Sequence, residues 1–262
     1  MDEAAAVERN LRLSLETLAR NAPGGEVKEL PGVVAASSGI RVSLLNAAMF
    51  RGPVGSDRNS LERRVEIAAL YYRLRGLPWS FWVCTHTLPP GLGAVLGDLL
   101  GQRGLRGMVR CSGMAGRVSK LPRRAFTRTL RVGPVKDAES RLAFCHVVAH
   151  CFGIPFEAAA GIYQRREAWK LQEGWIGYAG GMPVSTAATL AAGDVVGLYS
   201  VGTLPEYRRR GFAAEISRHA VLQAYERHGV RLAVLEATRP GEGVYRKLGF
   251  REVTAVHTFF MK

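Results

Sequence analysis

Three consecutive arginines, Arg208, Arg209 and Arg210, run into a segment of helical periodicity, Gly211 to His228. The stretch Val201-Gly-Thr-Leu-Pro-Glu-Tyr-Arg-Arg-Arg-Gly-Phe-Ala213 joins an apolar strand pattern to that helix. The first backbone N–H groups of a helix have no intrahelical acceptor, and the aligned peptide dipoles leave partial positive charge there. Gly211 lets a ligand come close to the backbone, and small Ala213 keeps the first turn open. The order predicts a polyphosphate cradle made of the Gly211, Phe212 and Ala213 backbone and the guanidinium groups of Arg208, Arg209 and Arg210. Neither G-x-x-x-x-G-K-[ST] nor G-x-G-x-x-G occurs, which excludes those nucleotide loops. Gly197-Leu-Tyr-Ser200-Val-Gly202 is one residue too long for a nucleophile elbow.

A short strand, Arg231 to Glu236, and a short helix, Gly241 to Leu248, follow. Arg208-x-x-Gly211-x-Ala213 after Leu-Pro-Glu-Tyr resembles the Q/R-x-x-G-x-G/A signature of the GNAT acyltransferase superfamily, and Tyr245-Arg-Lys-Leu-Gly-Phe250 resembles its second motif, Y-x-x-x-G-F. The resemblance runs from about Lys170 to Phe260. It implies a GNAT-like α/β (α+β) fold with a central, mostly antiparallel sheet flanked by helices. It also implies acetyl-CoA as cosubstrate, bound through its pyrophosphate by Arg208 to Ala213 and through its pantetheine arm by backbone groups of Val201, Gly202 and Thr203. The strand carrying those three residues is expected to splay from its neighbour. In such an enzyme the acceptor amine attacks the thioester directly in a ternary complex, so no protein nucleophile is needed. The departing thiolate takes a proton from the residue corresponding to Tyr245. A phenol with a pKa of about 10 is protonated at neutral pH and suits that role. Glu236, at the end of the short strand, is the nearest candidate base by topology, and a surface or turn-bonding glutamate is the competing reading. Tyr199 is a candidate for the acceptor side or for the core.

Cys145-His146-x-x-x-His150-Cys151 puts two histidines on one helical face with the cysteines elsewhere. That gives too few ligands for a metal, and none is expected. From Gly101 to Arg131 there are nine basic residues (Arg103, Arg106, Arg110, Arg117, Lys120, Arg123, Arg124, Arg128, Arg131) and no acidic one. With only Phe126 in that stretch to stack a base, nucleic acid is not the expected partner, and a solvated linker or a face near cofactor phosphates remains.

These features need a scaffold. The chain has 262 residues, 47% of them hydrophobic, with 36 Lys+Arg against 22 Asp+Glu and a formal charge of +14. Such a composition excludes disordered, collagen-like and disulfide-scaffold classes and implies an anionic partner. Four scattered cysteines point to free thiols in a reducing interior. The start, Met1-Asp2-Glu3-Ala4, does not read as a secretory signal, and Gly174 to Leu204 is too rich in Gly, Ser, Thr and Pro for a membrane helix. The expectation is a cytoplasmic protein without a membrane partner.

The periodicity predicts helices from about Val7 to Leu18, from Ser60 to Gly76, over Leu92–Arg103, from the cap Asp137 through Cys151, and over Phe156–Arg165. It predicts strands over Val42–Phe50, Trp79–Cys84, Lys170–Tyr178, Pro183–Ala191, Val195–Gly202 and Phe250–Phe260, with Arg106–Val118 extended and a turn-rich connection between the first helix and Val42. Strand, helix, strand, helix, strand thus occurs twice, over Val42–Val118 and Val195–Phe260. Two domains follow: residues 1–130 as a degenerate GNAT-like lobe lacking the cofactor motif, or an unrelated helical–sheet lobe, and residues 131–262 as the catalytic one. The reading is an acetyl-CoA-dependent N-acetyltransferase acting on a small-molecule or peptide amine, as a monomer or homodimer. The alternatives are a lapsed CoA-binding sensor and a basic nucleic-acid-binding regulator.

Overall fold

The computed structural model describes residues 2–261, so Met1 and Lys262 lie outside the described residues. Helix α1 (Glu3–Asn21) forms where the first apolar stripe lies. The segment that reads as a turn-rich connection is instead a hairpin, β1 (Glu26–Leu30) with β2 (Val33–Ser37), turning at Pro31-Gly32 with Gly32 at φ 76°. Its signal is weak for a physical reason: β2 is buried at every residue, so Val-Val-Ala-Ala-Ser shows no alternation. Strand β3 (Asn46–Phe50) starts later than its apolar run because Ser43–Leu45 is a 3-10 turn.

Helix α2 (Arg58–Arg75) is bounded by the Asp57 cap and by Gly76 in the left-handed region. Then come β4 (Ser80–Cys84), α3 (Leu92–Gln102) and β5 (Gly107–Arg117). A four-residue strand, β6 (Arg131–Pro134), begins at the end of the basic stretch. Asp137 caps α4 (Ala138–Phe152) as expected: its carboxylate accepts the Ser140 N–H at 2.8 Å, and Ser140 Oγ accepts the Asp137 N–H at 3.0 Å. The remainder is α5 (Phe156–Tyr163), β7 (Glu173–Ala179), β8 (Met182–Ala192), β9 (Val195–Thr203), α6 (Phe212–His228), β10 (Leu232–Thr238), α7 (Glu242–Lys247) and β11 (Arg251–Phe260).

The chain forms two compact units, each discontinuous in sequence. One comprises Met1–Ser14 and Met114–Val253; the other comprises Leu15–Gly113 and Thr254–Lys262. Strands β5 and β11 are therefore divided between them.

In the first unit, β6, β7, β8 and β9 pair antiparallel in that order, and β10 lies parallel to β9. Helix α6 covers the sheet with Phe212, Ile216, Ala220, Val221 and Ala224, all buried among Trp175, Val184, Val196 and Leu235. Each fully buried Ile or Val contributes about 1.5–3 kcal/mol, so this stripe fixes the helix whose N-terminus carries the arginines.

In the second unit, β1, β2 and β3 pair antiparallel, β4 lies parallel to β3, and β11 lies antiparallel to β4. Its core is Leu61, Val65 and Tyr72 from α2 and Leu96 and Leu100 from α3, with Phe50, Trp79 and Phe81. Both units thus have a mixed α/β architecture, a mostly antiparallel sheet flanked by helices. No helix among the described residues is long and apolar enough to cross a membrane.

Candidate active site

The parallel pairing of β9 with β10 covers only Val195–Gly197 against Leu232–Val234. Both strands continue past that point, β9 to Thr203 and β10 to Thr238, so they part after Gly197 and Val234. Two features shape β9 beyond the parting. Ala187 of β8 is skipped in the register between Thr186↔Gly202 and Ala188↔Tyr199, so Ser200 and Val201 form a bulge, with Ser200 at φ 50°. The Ser200 hydroxyl is shared with the buried Tyr163 hydroxyl at 3.1 Å. Gly202 is needed on the opposite side, since a Cβ there would stand 2.9 Å from Cys151 Cβ at the end of α4.

Of the three backbone positions expected to meet a pantetheine arm, two already receive protein donors. Ser185 Oγ donates to the Gly202 carbonyl at 2.7 Å, and Arg208 Nε donates to the Thr203 carbonyl at 3.1 Å. Val201, half-buried, is the third. The Arg208 bond closes the turn after β9, whose Pro205–Tyr207 segment is 3-10. Arg210 donates to the Glu206 carbonyl at 3.1 Å, and its guanidinium lies 5.2 Å from the centre of the Tyr207 ring. Arg209 has φ 60°, an uncommon value for a non-glycine residue, and Gly211 follows at φ 80°. The three arginines are exposed, and no acidic side chain among the described residues forms an ion pair with any of them.

Gly211 is the N-cap of α6, and no side chain caps that helix. The first turn of α6 therefore presents its N–H groups, among them those of Phe212 and Ala213, beside three uncompensated guanidinium groups. Helix α2 of the second unit differs at its N-terminus. There the Asp57 carboxylate accepts the N–H groups of Asn59 and Ser60, each at 3.0 Å, so a side chain of the protein occupies the place of an anion. The N-terminus of α6 is thus uncapped by any side chain, whereas that of α2 is capped.

Glu236 and Tyr245 lie farther along β10 and α7. Glu236 Oε1 is buried without a hydrogen-bond partner, and burial raises its carboxyl to a pKa of about 8, only partly countered by a backbone hydrogen bond. The residue as a whole is half-buried. Tyr245 is buried, with its ring edge-on to Phe250 at 6.1 Å. Burial holds its phenol well above the ordinary tyrosine value; the Ser217 hydroxyl opposes that, and the charge of Glu236 adds to it. The two groups are thus electrostatically coupled, and both favour their protonated forms at neutral pH.

His146 and His150 are exposed, with His146 stacked on Phe156 at 4.4 Å. Among the described residues no group of three or more His, Cys, Asp or Glu is placed to hold a metal. Tyr199 donates its hydroxyl to Asn10 Oδ1 at 2.7 Å. Asn10, Tyr163 and Ser200 are site-shaping residues that the sequence reading does not identify. Asn10 alone leaves a trace, as a polar residue within the apolar stripe of α1.

Residues 134–253 match a family described as an Acetyltransferase (GNAT) domain. No curated protein matches the chain. A GCN5-related N-acetyltransferase from Kribbella flavida superposes over 98% of this chain and 95% of its own, with a TM-score of 0.73 and 23% identity. A GCN5-related N-acetyltransferase from Sphaerobacter thermophilus covers 88% of this chain and 77% of its own, with a TM-score of 0.63 and 18% identity. A functionally unknown conserved protein from Staphylococcus epidermidis covers 92% and 94%, with a TM-score of 0.65 and 14% identity. The chain has the GNAT fold, and residues 134–253 carry its acetyltransferase domain pattern.

Proposed function

We propose that the protein is an acetyl-CoA-dependent N-acetyltransferase whose acceptor is a primary amine on a small molecule or peptide. One observation carries the reading: β9 parts from its parallel neighbour and ends at an uncapped helix N-terminus flanked by three arginines with no acidic partner. The donor set fits a pyrophosphate, and the unpartnered Glu236 Oε1 fits a site that a polar group completes. When bound, acetyl-CoA supplies an acetyl thioester. Arg209, Arg210 and the Phe212 and Ala213 N–H groups neutralise its phosphates, with Arg208 closing the turn behind them. The Val201 backbone offers hydrogen-bonding groups to the arm that follows the parted strand.

Direct attack by an amine needs one proton removed and one supplied. Glu236 takes the proton from the acceptor ammonium through its carboxylate, directly or by a water. The Tyr245 hydroxyl gives one to the departing sulfur. The coupling between them keeps the roles apart: ionised Glu236 raises the phenol, so the acid holds its proton while the base is charged. The second unit, Leu15–Gly113 with Thr254–Lys262, serves as a non-catalytic GNAT-like lobe; the Asp57 carboxylate fills the helix end that a pyrophosphate would need. The protein works in the cytoplasm as a monomer or homodimer and uses no metal.

The test is acetyl-CoA turnover against a panel of amines with detection of free thiol. Thiol release that depends on amine is the expected result. CoA binding without amine-dependent release would point instead to a sensor, and a salt-sensitive shift of duplex DNA without CoA binding would point to a regulator.

A further inference from the structure

The basic stretch before Arg131 contains one segment whose place the fold fixes. Leu121 and Leu130 are buried and anchor a loop in which Arg123, Arg124, Phe126 and Arg128 are exposed. The loop is tied at its centre. The Phe126 N–H donates to Glu215 Oε2 at 2.7 Å, and Glu215 is a buried carboxylate in the first turn of α6. Arg218 pairs with that carboxylate at 2.6 Å and donates to the Arg123 carbonyl at 3.4 Å. A buried carboxylate is costly unless paired and hydrogen-bonded, and here both bonds serve to hold the loop against the helix.

The consequence is a set of neighbours. A Cβ built on Gly211 would stand 3.8 Å from both Phe126 Cβ and the Phe126 carbonyl oxygen. Phe126, 37% exposed, therefore lies beside the open end of α6. Arg123, Arg124 and Arg128 form no ion pair with an acidic side chain among the described residues. A partly exposed phenylalanine thus stands beside the N-terminus of α6, and its loop carries three exposed guanidinium groups with no acidic partner among the described residues. A polymer needs successive stacking platforms, whereas one ring takes one base.

We propose that the Leu121–Leu130 loop binds the nucleotide end of coenzyme A, with the adenine stacked on Phe126 and the ribose 3′-phosphate held by Arg123, Arg124 and Arg128. Glu215 and Arg218 are positioning residues for that loop. The proposal rests on the acetyl-CoA reading above and goes beyond it by assigning the part of the basic stretch that the pyrophosphate does not use.

The experiment is calorimetric binding of CoA, 3′-dephospho-CoA and 4′-phosphopantetheine to the full chain, without acceptor or turnover. Wild type is expected to bind CoA about tenfold more tightly than 3′-dephospho-CoA, as loss of charge-assisted contacts implies. Arg123→Ala/Arg124→Ala/Arg128→Ala should close that gap to less than about twofold, leaving 3′-dephospho-CoA affinity unchanged. Phe126→Ala should weaken CoA and 3′-dephospho-CoA alike, by about tenfold, with 4′-phosphopantetheine unaffected. Both variants alter exposed side chains, and a matching thermal midpoint verifies their folding. If the triple variant keeps the wild-type preference for CoA, the loop assignment is wrong and the acetyltransferase reading stands. CoA binding with these preferences but no acetyl transfer would leave the loop assignment and remove the catalytic one. Absence of CoA binding by wild type would overturn both.

Discussion

Asn10 of α1 accepts the Tyr199 hydroxyl at 2.7 Å and fills the space that a side chain at Gly197 would need. Gly197 is the last β9 residue paired with β10, so Asn10 is packed at the point where the strands part. Asn10 Nδ2 also donates to the Leu190 carbonyl at 3.3 Å, which fixes the amide from both ends. A Cβ on Gly197 would collide with Asn10 Oδ1 and with the Tyr199 ring. Gly197→Ala should therefore destabilise the protein by about 2 kcal/mol or more, by overpacking and loss of a buried hydrogen bond. Asn10→Ala removes the bonds to the Tyr199 hydroxyl and the Leu190 carbonyl and should cost about 1–3 kcal/mol. Denaturant unfolding measures both, and an unchanged midpoint for Gly197→Ala would show that Asn10 moves aside freely.

Glu236 should set the pH dependence of turnover. Its carboxyl titrates near 8 in the folded protein against an ordinary 4.5, so the basic form is a minority at pH 7. The rate should rise through about pH 8, and Glu236→Gln should abolish that limb of the profile. Stability should move the opposite way. A carboxyl whose folded pKa is raised gives full stability below its unfolded value and loses it as pH climbs through the folded value. Between about pH 4.5 and 8 the wild type should lose on the order of a few kcal/mol that Glu236→Gln retains. Thermal midpoints of the two proteins at pH 5 and pH 8.5 check the sign, and parallel curves would remove the buried-carboxylate account.

What was legible in the sequence was local. The turn from Arg208 to Ala213, the Asp137 cap and the stripe of α6 each lie within a few residues, and the first-turn, capping and periodicity rules act over that distance. Pairings across the chain left no such mark. Glu215 and Phe126 are 89 residues apart, and neither residue type announces the other. Ser200 was readable as part of a strand, but its positive φ depends on the β8 register, and its Tyr163 partner comes from another helix. Strand β2 was hidden because both its faces are buried. Glu236 was visible as a candidate by topology alone; its raised pKa comes from burial, which its residue type does not announce.

The three arginines of the turn are not equivalent in their bonding. Arg208 and Arg210 are bonded to the Thr203 and Glu206 carbonyls, whereas the Arg209 side chain makes no such hydrogen bond among the described residues. Arg209→Glu and Arg210→Glu should each raise the KM for acetyl-CoA, by about tenfold or more through charge reversal at a phosphate. Acceptor KM should stay within about twofold. Arg209 also sits at φ 60°, so Arg209→Gly relieves backbone strain while removing the charge. That variant should be at least as stable as wild type and still bind acetyl-CoA poorly. Steady-state kinetics with both substrates varied gives the answer, and a change confined to the acceptor would displace the pyrophosphate from this turn.

Tyr245 tests whether the site performs chemistry or only binds. Its ring packs edge-on against Phe250 within the core, so Tyr245→Phe keeps the packing and removes only the hydroxyl. Burial and the nearby Glu236 charge keep that hydroxyl protonated across the working pH range, so the wild-type acid should not produce a falling limb below pH 10. The substitution should lower kcat by about 10²–10³-fold, with CoA affinity within about twofold of wild type. An acceptor assay with a thioester whose leaving thiol is more acidic should narrow the deficit, because a better leaving group needs less protonation. A Tyr245→Phe enzyme with undiminished kcat would assign the ring to packing alone. An equal deficit with both thioesters would leave the hydroxyl in binding or positioning rather than in proton transfer.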